Sequence, residues 1–157
     1  MNLFDKFEGI RQARTMLGEV GIDPFGVAME KIISPTEAII HGRPTILAGT
    51  NNYLGLTFDP DALNAAETAL RSQGTGTTGS RMANGSFSTH RCLERELADF
   101  YGVRDCIVFS TGYLANLGMI STLAGPKDLV LLDADCHASI YDACRLGGAE
   151  VVRFKHN

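Results

Sequence analysis

The sequence predicts an α/β fold in which a parallel sheet follows a small antiparallel meander. Its second half alternates short apolar runs with helical patterns: "CIVFS" (106–110), "DLVLLD" (128–133) and "EVVRF" (150–154) are each separated by a helix-like stretch. Strands that alternate with helices over short connections form parallel sheets with helices on their faces. The first half instead has short apolar runs interrupted by Pro35 and by "HGRP", which is typical of a meander.

A helix is predicted on each side of the meander. Residues 3–20 carry one apolar stripe at helical spacing, formed by Leu3, Phe7, Ile10, Leu17 and Val20. "GIDPFG" (21–26) ends this helix, and residues 27–50 hold three short strands, "VAMEKII", "EAII" and "TILAG". Asp59-Pro60 begins the next helix, because proline is favoured at the first helical position.

Capping residues and glycines mark the remaining helices. Thr89 is the predicted N-cap of a helix that ends at Gly102. Two more helices are predicted within residues 111–125 and 137–148, and both patterns close on glycine. A Gly-rich segment, "GTGTTGSRMANG" (74–85), precedes Thr89, and seven of its first eight residues are Gly, Thr or Ser.

Composition and charge argue against several classes of protein. The net charge is −4 and the lysines (Lys6, Lys31, Lys127 and Lys155) do not cluster, which argues against a nucleic-acid-binding protein. No apolar run reaches the length of a membrane span and the N-terminus lacks a signal-peptide pattern, so we expect a cytoplasmic protein. The cysteines form no CxxC pair and are expected to be reduced and structural.

The segment "STGYLAN" (110–116) follows the first predicted strand of the parallel sheet. Ligands of such sheets bind beyond the carboxyl ends of the strands. Thr111 and Gly112 lie at the strand-to-helix turn, where free backbone N–H groups attract an anion such as phosphate. Tyr113 would present an aromatic face to a planar ring. An ordinary helix cap beside a packed tyrosine explains the same residues, so both interpretations stay open.

A second polar segment, "LDADCHASIYD" (132–142), follows the next predicted strand. We expect His137 to lie at the same rim of the sheet as the turn at 110–113, where it can contact a ring, bind a carboxylate or transfer a proton. Alternatively, His137 caps the helix that follows it. Asp133 and Asp135 lack a third ligand at suitable spacing, so no metal site is expected.

Two further segments carry polar groups that suit a charged ligand. "TNNYLGL" (50–56) contains Asn51 and Asn52, whose amides can bind a carboxylate, although asparagine is also common in turns. The Gly-rich segment 74–85 can present backbone N–H groups and Arg81 to an anion, but it lacks the lysine of a P-loop. Its other interpretation is a flexible linker.

Four long motifs occur in a fixed order, namely "NNYLGL" (51–56), "GTGTTGSRMANGSFSTHRCLE" (74–94), "FSTGYLANLG" (109–118) and "LDADCHASIYDACRLGGAEVVRFKHN" (132–157). Together they resemble the α-oxoamine synthases, a family of enzymes that use pyridoxal 5′-phosphate (PLP). The resemblance implies part of the aspartate-aminotransferase-like α/β fold, fold type I of the PLP-dependent transferases. Residues 1–50 would form the N-terminal helix and meander, and residues 51–157 the first part of the PLP-binding large domain.

The resemblance also implies roles for individual residues. Thr111, Gly112 and Tyr113 match the turn that holds the PLP phosphate and its surroundings. His137 matches the histidine that stacks over the pyridine ring and helps to hold the amino-acid carboxylate. Contacts to the substrate are expected from Asn52, Ser80 and Arg81. The loop at 74–85 is expected close to the partner subunit's active site in a homodimer.

The resemblance implies a PLP-dependent, decarboxylating condensation. We expect L-serine and a long-chain acyl-CoA as substrates and 3-ketosphinganine, CoA and CO2 as products, the first step of sphingolipid synthesis. Weak association with a membrane surface is a further expectation. The alternatives are 2-amino-3-ketobutyrate CoA ligase, 8-amino-7-oxononanoate synthase, 5-aminolevulinate synthase, or a truncated or non-catalytic member of the family.

The lysine that binds PLP covalently in this family has no match in the sequence. None of the four lysines lies in the expected context, which in family members comes downstream of the motifs matched here. The resemblance therefore implies that these residues correspond to the front part of a family member. We expect that the 157 residues by themselves do not anchor the cofactor and are inactive.

Overall fold

The structure is a computed structural model that describes residues 2–21 and 26–157. The chain divides into two compact units, Met1–Gly76 and Thr77–Asn157. The predicted boundary after residue 50 concerns the large domain of the family and stays a prediction. Within the described residues, no helix has both the length and the apolar character needed to cross a bilayer.

The first unit contains helix α1 (Glu8–Glu19), strands β1 (Lys31–Ser34), β2 (Glu37–Ile40) and β3 (Arg43–Ile46), and helix α2 (Pro60–Gln73). Helix α1 confirms the predicted N-terminal helix. The predicted break at 21–26 is described only in part, because residues 22–25 lie outside the described residues. Helix α2 begins as predicted, since the Asp59 carboxylate accepts the Ala62 N–H at 3.0 Å and caps the helix.

Strands β1, β2 and β3 form the predicted antiparallel meander, in that order. His41 and Gly42 join β2 to β3, and both have positive φ (51° and 71°). Two such residues make the turn whose twist matches that of the flanking strands. Arg43 and Pro44, predicted to lie between strands, belong to β3. Proline is tolerated there because β3 is an edge strand of the sheet.

The second unit contains helix α3 (Ser88–Tyr101), helix α4 (Gly112–Leu123), strand β4 (Leu129–Asp133), helix α5 (Ala138–Gly147) and strand β5 (Glu150–Phe154). Strands β4 and β5 pair in parallel, with Leu129 opposite Glu150 and Asp133 opposite Phe154. Helix α5 is the crossover between them. This strand–helix–strand unit confirms the predicted α/β character and places the carboxyl ends of both strands at one edge.

Residues 106–110 do not form the predicted strand. A strand requires ladder hydrogen bonds to a neighbour, and in the described part of this unit β4 and β5 pair with each other alone. Side chains take the place of a neighbouring strand: Val108 donates its N–H to Glu94 (3.1 Å) and accepts from Arg81 at its carbonyl (3.4 Å). Phe109 packs on α4, where a Cβ added to Gly118 would lie 3.0 Å from its ring.

The predicted N-cap of α3 was wrong by two residues. The helix begins at Ser88, so that Phe87 occupies the N-cap position and Thr89 lies inside the first turn. Phe87 has no side chain that can cap the helix. The His90 imidazole instead stabilises the start of the helix, because its Nδ1 accepts the Phe87 N–H at 3.0 Å. The predicted end of the helix is confirmed, with Gly102 in the left-handed conformation at φ 66°.

The core of the second unit lies where α5 packs on α4 and β4. Its buried residues on these elements are Leu132, Ser139, Ala143 and Cys144. Close approach of the two helices depends on Gly147, where an added Cβ would overlap the Ala124 carbonyl oxygen and would lie 3.1 Å from Ser121 Cα. This close approach therefore lies at the carboxyl ends of α4 and α5.

Candidate active site

The first turn of α4 has an open, unsatisfied pair of backbone donors. Thr111 is the N-cap, and its hydroxyl oxygen accepts the Leu114 N–H at 3.1 Å. The N–H groups of Gly112 and Tyr113 have no acceptor in the described part of the chain. A Cβ added to Gly112 would meet no atom within 4 Å. Both Gly112 and Tyr113 are exposed, and unpaired N–H groups at an exposed helix N-terminus are the arrangement that binds an anion.

His137 is the N-cap of α5, as one of its two predicted interpretations required. Its Nδ1 accepts the Ser139 N–H at 3.2 Å. A nitrogen that accepts a hydrogen bond carries no proton, so in the neutral ring the proton lies on Nε2. The cap thus leaves Nε2–H as a donor on a residue that is exposed to solvent. Capping the helix and contacting a ligand are compatible, because they use different ring nitrogens.

A partly buried hydrogen-bond relay favours this tautomer of His137 and joins the two helices. Asn116 on α4 donates from Nδ2 to the Ser139 hydroxyl oxygen at 2.9 Å. The hydroxyl lies 2.8 Å from His137 Nδ1 and is free to donate its own proton there. Ser139 is fully buried, with 0% exposure. The relay joins α4, one turn after its start, to the first turn of α5. The predicted meeting of residues 110–113 with His137 stays a prediction.

Asn116 and Ser139 were not predicted as site residues. Asn116 lies within the quoted motif "STGYLAN" and follows Gly112 by four residues, which places both on one face of the helix. This helical spacing was the signal in the sequence from which Asn116 could have been predicted as a site residue. Ser139 gave none, because a serine inside a helix pattern is indistinguishable in sequence from a solvated one.

Tyr113 is held by a side chain of α5 that sequence reasoning also missed. Its phenol donates to the Asp142 carboxylate at 2.6 Å. This hydrogen bond raises the pKa of the Tyr113 phenol, and the negative charge of Asp142 adds to the effect. Tyr113 therefore stays neutral at physiological pH, with its hydroxyl directed at α5 and not available to a phosphate.

The acidic residues after β4 organise their own turn. One Asp133 oxygen accepts the Asp135 N–H at 2.8 Å, and the other lies 2.9 Å from His156 Nδ1. Residue His156 follows β5, so this contact joins the carboxyl ends of both strands. Among the described residues, no three acidic, histidine or cysteine side chains are grouped so that they could hold a metal ion.

The Gly-rich segment has a defined shape in its second part. The Ser80 carbonyl accepts the N–H groups of Ala83 (3.1 Å) and Gly85 (2.8 Å), which closes a tight loop. Gly79 and Gly85 approach so closely that a Cβ at Gly85 would overlap the Gly79 backbone. The interpretation as a flexible linker does not describe residues 79–85.

The Arg81 side chain extends from this loop and contacts other residues of the same unit. Its Nη2 pairs with the Glu94 carboxylate at 2.8 Å, and its Nε donates to the Ser86 hydroxyl at 3.0 Å. Together with Thr77, Ser110 and Leu114, Arg81 lines a cavity of about 480 Å³. The structure thus brings Arg81 and Ser110 to one cavity, whereas Ser80, Thr111, Gly112 and Tyr113 are not part of its lining.

Asn52 belongs to the first unit and holds a local turn. Its Nδ2 donates to the Pro35 carbonyl at 3.1 Å and to the Thr57 hydroxyl at 3.0 Å. Within the described residues, its Oδ1 has no hydrogen-bond donor. The expected contact of Asn52 with a substrate stays a prediction, as do those of Ser80 and Arg81.

Comparison with known proteins defines the class to which this fold and site belong. Residues 43–157 match the family model "Aminotransferase class I and II", and the chain belongs to that family. The predicted fold class and the predicted resemblance to α-oxoamine synthases are confirmed by this match and by the relatives below.

The chain is 59% identical to the serine palmitoyltransferase of Caulobacter vibrioides over 157 residues, which cover 100% of this chain and 39% of that protein. It superimposes with a TM-score of 0.95 on a serine palmitoyltransferase from S. paucimobilis solved with a bound PLP–myriocin compound, at 56% identity over 99% of this chain and 41% of the other. A putative 8-amino-7-oxononanoate synthase from Desulforudis audaxviator is 46% identical over 125 residues, or 80% of this chain and 33% of that protein.

These coverages fix the scale of the comparison. The chain spans about two-fifths of the length of the first two curated relatives, 39% of one and 37% of the other. The match covers the whole of this chain, from α1 to β5, and the remaining three-fifths of these relatives have no counterpart in it. The family and the PLP-bound relatives support PLP as the cofactor.

Proposed function

We propose that the complete gene product is a serine palmitoyltransferase-like, PLP-dependent C-acyltransferase. It condenses L-serine with a long-chain acyl-CoA and gives 3-ketosphinganine, CoA and CO2, as the first step of sphingolipid synthesis. The observation that carries this proposal is the 59% identity to a serine palmitoyltransferase along the whole chain. A homodimer, a cytoplasmic location and weak attachment to a membrane surface accompany the proposal as expectations.

The chain offers groups that fit PLP. The unpaired N–H groups of Gly112 and Tyr113 lie at an exposed helix N-terminus and would bind the phosphate, with Thr111 holding the turn through its cap. His137 would contact the pyridine ring. When bound, PLP supplies an electron sink for the negative charge that develops at the amino-acid Cα. Covalent attachment of the cofactor is expected from a lysine outside these residues.

The proposed work of this chain on the substrate is to orient it. The Nε2–H of the exposed His137 donates to the serine carboxylate, because the relay from Asn116 through Ser139 favours the proton on that nitrogen. The expected contact of Asn52 with a substrate is kept as a proposal that rests on the family resemblance alone. Ser80 is proposed as a further contact through its hydroxyl. Fixing the substrate in this way converts binding into correct orientation of the bond to be broken.

The second candidate is another α-oxoamine synthase that uses glycine or alanine. The 46% identity to a putative 8-amino-7-oxononanoate synthase favours it, since the same front part of the fold serves both activities. 2-Amino-3-ketobutyrate CoA ligase and 5-aminolevulinate synthase are the other members of this group of candidates. A truncated or non-catalytic member of the family is the third possibility.

The test is release of CoA from palmitoyl-CoA by the complete gene product, with serine, glycine or alanine at equal concentration. A site that hydrogen-bonds the serine hydroxyl rejects analogues that lack it, so we expect serine to react at least about tenfold faster. A preference for glycine or alanine overturns the serine assignment and supports the second candidate. No CoA release with any amino acid, from protein that binds PLP, supports a non-catalytic member.

A further inference from the structure

The segment that leads into the phosphate turn is held by side chains. Residues 106–110 lie outside the sheet, yet both backbone groups of Val108 are hydrogen-bonded. The N–H donates to Glu94 Oε1 at 3.1 Å, and the carbonyl accepts from Arg81 Nη1 at 3.4 Å. Val108 is two residues before Ser110, where the turn begins. The position of the turn therefore depends on what holds Val108.

Arg81 and Glu94 also bind each other, so that three separate pieces of chain meet. Arg81 Nη2 and Val108 N–H converge on the same Glu94 oxygen, Oε1, at 2.8 and 3.1 Å. These contacts lower the pKa of the Glu94 carboxyl; the Val108 N–H has the largest effect and Arg81 the next largest. Glu94 is therefore ionised and accepts strong, charge-assisted hydrogen bonds at neutral pH.

The loop that carries Arg81 is shaped to aim its side chain. Ser86 donates its hydroxyl to the Arg81 carbonyl at 2.9 Å and accepts from Arg81 Nε at 3.0 Å. The close approach of Gly79 and Gly85 forbids a side chain at Gly85. All three nitrogens of the guanidinium are consequently engaged inside the unit, which leaves the group poorly placed to bind a substrate as well.

We propose that Arg81 and Glu94 are positioning residues that hold the segment 106–110 through Val108, and with it the phosphate-binding turn, without contact to the substrate. This role replaces the substrate contact expected for Arg81, and it rests on the proposed function. The planar guanidinium reaches Ser86, Glu94 and Val108 from fixed directions, which the single ammonium of lysine cannot reproduce. A positive charge at residue 81 is therefore not sufficient to hold Val108 in place.

Three variants of the complete gene product test the proposal. Arg81→Lys keeps the charge and removes the fork, and Glu94→Gln keeps an acceptor for Val108 and removes the charge. Arg91→Lys is the matched control, because Arg91 is an exposed arginine on the same helix as Glu94. The measurements are the Kd for PLP by fluorescence, the KM for serine and for palmitoyl-CoA, and amide hydrogen exchange of residues 106–113 in the PLP-free protein.

We expect Arg81→Lys and Glu94→Gln to raise the Kd for PLP about tenfold, the effect of weakening one hydrogen bond to a charged group. Within residues 106–113 the Val108 amide, which donates to Glu94, should exchange faster in both variants. Both KM values at saturating PLP and all properties of Arg91→Lys should stay within about twofold of wild type. A raised KM with unchanged Kd and unchanged exchange would make Arg81 a substrate-binding residue and overturn the proposal.

The exchange measurement separates this proposal from the proposed function. If the wild-type gene product binds no PLP, the proposed function fails, but faster exchange of the Val108 amide in Arg81→Lys still supports the positioning role. If PLP binds and exchange of that amide is unchanged in both variants, the positioning role fails and the proposed function stands. If Arg81→Lys does not fold, the same measurements on Glu94→Gln test the positioning role.

Discussion

The first turns of α4 and α5 solve the same problem in two different ways. Each helix begins with N–H groups that have no partner inside the helix, and each has a side-chain cap. At α4 the Thr111 hydroxyl satisfies Leu114 and leaves the N–H groups of Gly112 and Tyr113 open. At α5 the His137 imidazole satisfies Ser139 and leaves its own Nε2–H open. One site thus presents backbone donors and the other a side-chain donor.

This difference assigns different ligands to the two turns. Backbone N–H groups at a helix N-terminus carry a fixed partial positive charge, which suits a permanent anion such as phosphate. An imidazole offers a flat ring and a single donor, which suits an aromatic ring and a substrate carboxylate. The Asn116–Ser139 contact joins α4 to the first turn of α5. Substitutions at each turn should therefore affect different measurable steps.

The largest effect is expected at His137. His137→Ala and His137→Asn should both lower kcat/KM of the complete gene product by at least about a hundredfold, because both remove the ring. Asn is a good N-cap and Ala is not, so His137→Ala alone should also lower the free energy of unfolding, by about 1 kcal/mol. Steady-state kinetics and denaturant unfolding of the two variants measure these effects.

The pair of variants distinguishes a functional imidazole from a helix cap. Lys6→Ala, on the exposed N-terminal turn, is the control and should retain activity within about twofold. Full activity of His137→Asn, together with reduced activity of His137→Ala, would mean that His137 acts as a helix cap alone. The first turn of α5 would then have no role in binding a ligand.

Local signals in the sequence were sufficient to predict several of the helix ends. The Thr-Gly pair before α4, the Asp-Pro pair before α2 and the glycine after α3 mark ends that the structure confirms. These signals work because a cap is decided by residues a few positions apart. Strands β4 and β5 were predicted for a similar reason, since each is one short apolar run between turn residues.

Two of the failures have a common physical cause, which is dependence on partners distant in sequence. "CIVFS" has the composition of a strand, but a strand needs a neighbour, and Val108 is bonded to side chains 14 and 27 residues away. The Asn116–Ser139 contact spans 23 residues and leaves no periodic trace. The third failure is local. Thr89 was predicted as the N-cap from its residue type, whereas the helix begins at Ser88 and the His90 imidazole accepts the Phe87 N–H.

A smaller effect, confined to the cofactor, is expected at Gly112. Gly112→Ala adds a methyl group in open space beside the free N–H groups, so the fold should tolerate it. The same methyl group hinders approach of a phosphate, and we expect the Kd for PLP to rise about tenfold through one weakened hydrogen bond to a charged group. Fluorescence titration with PLP, at unchanged KM for serine, measures this effect.

Gly9→Ala is the matched control for Gly112→Ala. Gly9 lies in the first turn of α1, and a Cβ there also meets no atom within 4 Å. Both substitutions should leave the free energy of unfolding unchanged or slightly raised, because alanine favours helix over glycine. An unchanged Kd for PLP in Gly112→Ala would show that the phosphate does not bind at this turn.

The smallest effect is expected at Tyr113, where α4 contacts α5. The phenol donates to Asp142 and its pKa is raised, so the NMR signal of its ring carbon should titrate above the ordinary value of about 10. Because the folded-state pKa exceeds the unfolded one, this hydrogen bond stabilises the fold fully below pH 10 and loses its effect as the pH rises through the folded-state pKa. Asp142→Asn should lower the pKa, and Tyr113→Phe identifies the signal.

Since the hydroxyl is already bonded to α5, Tyr113→Phe should change the Kd for PLP less than Gly112→Ala does. A larger change would mean that the side chain, and not the backbone of this turn, binds the phosphate.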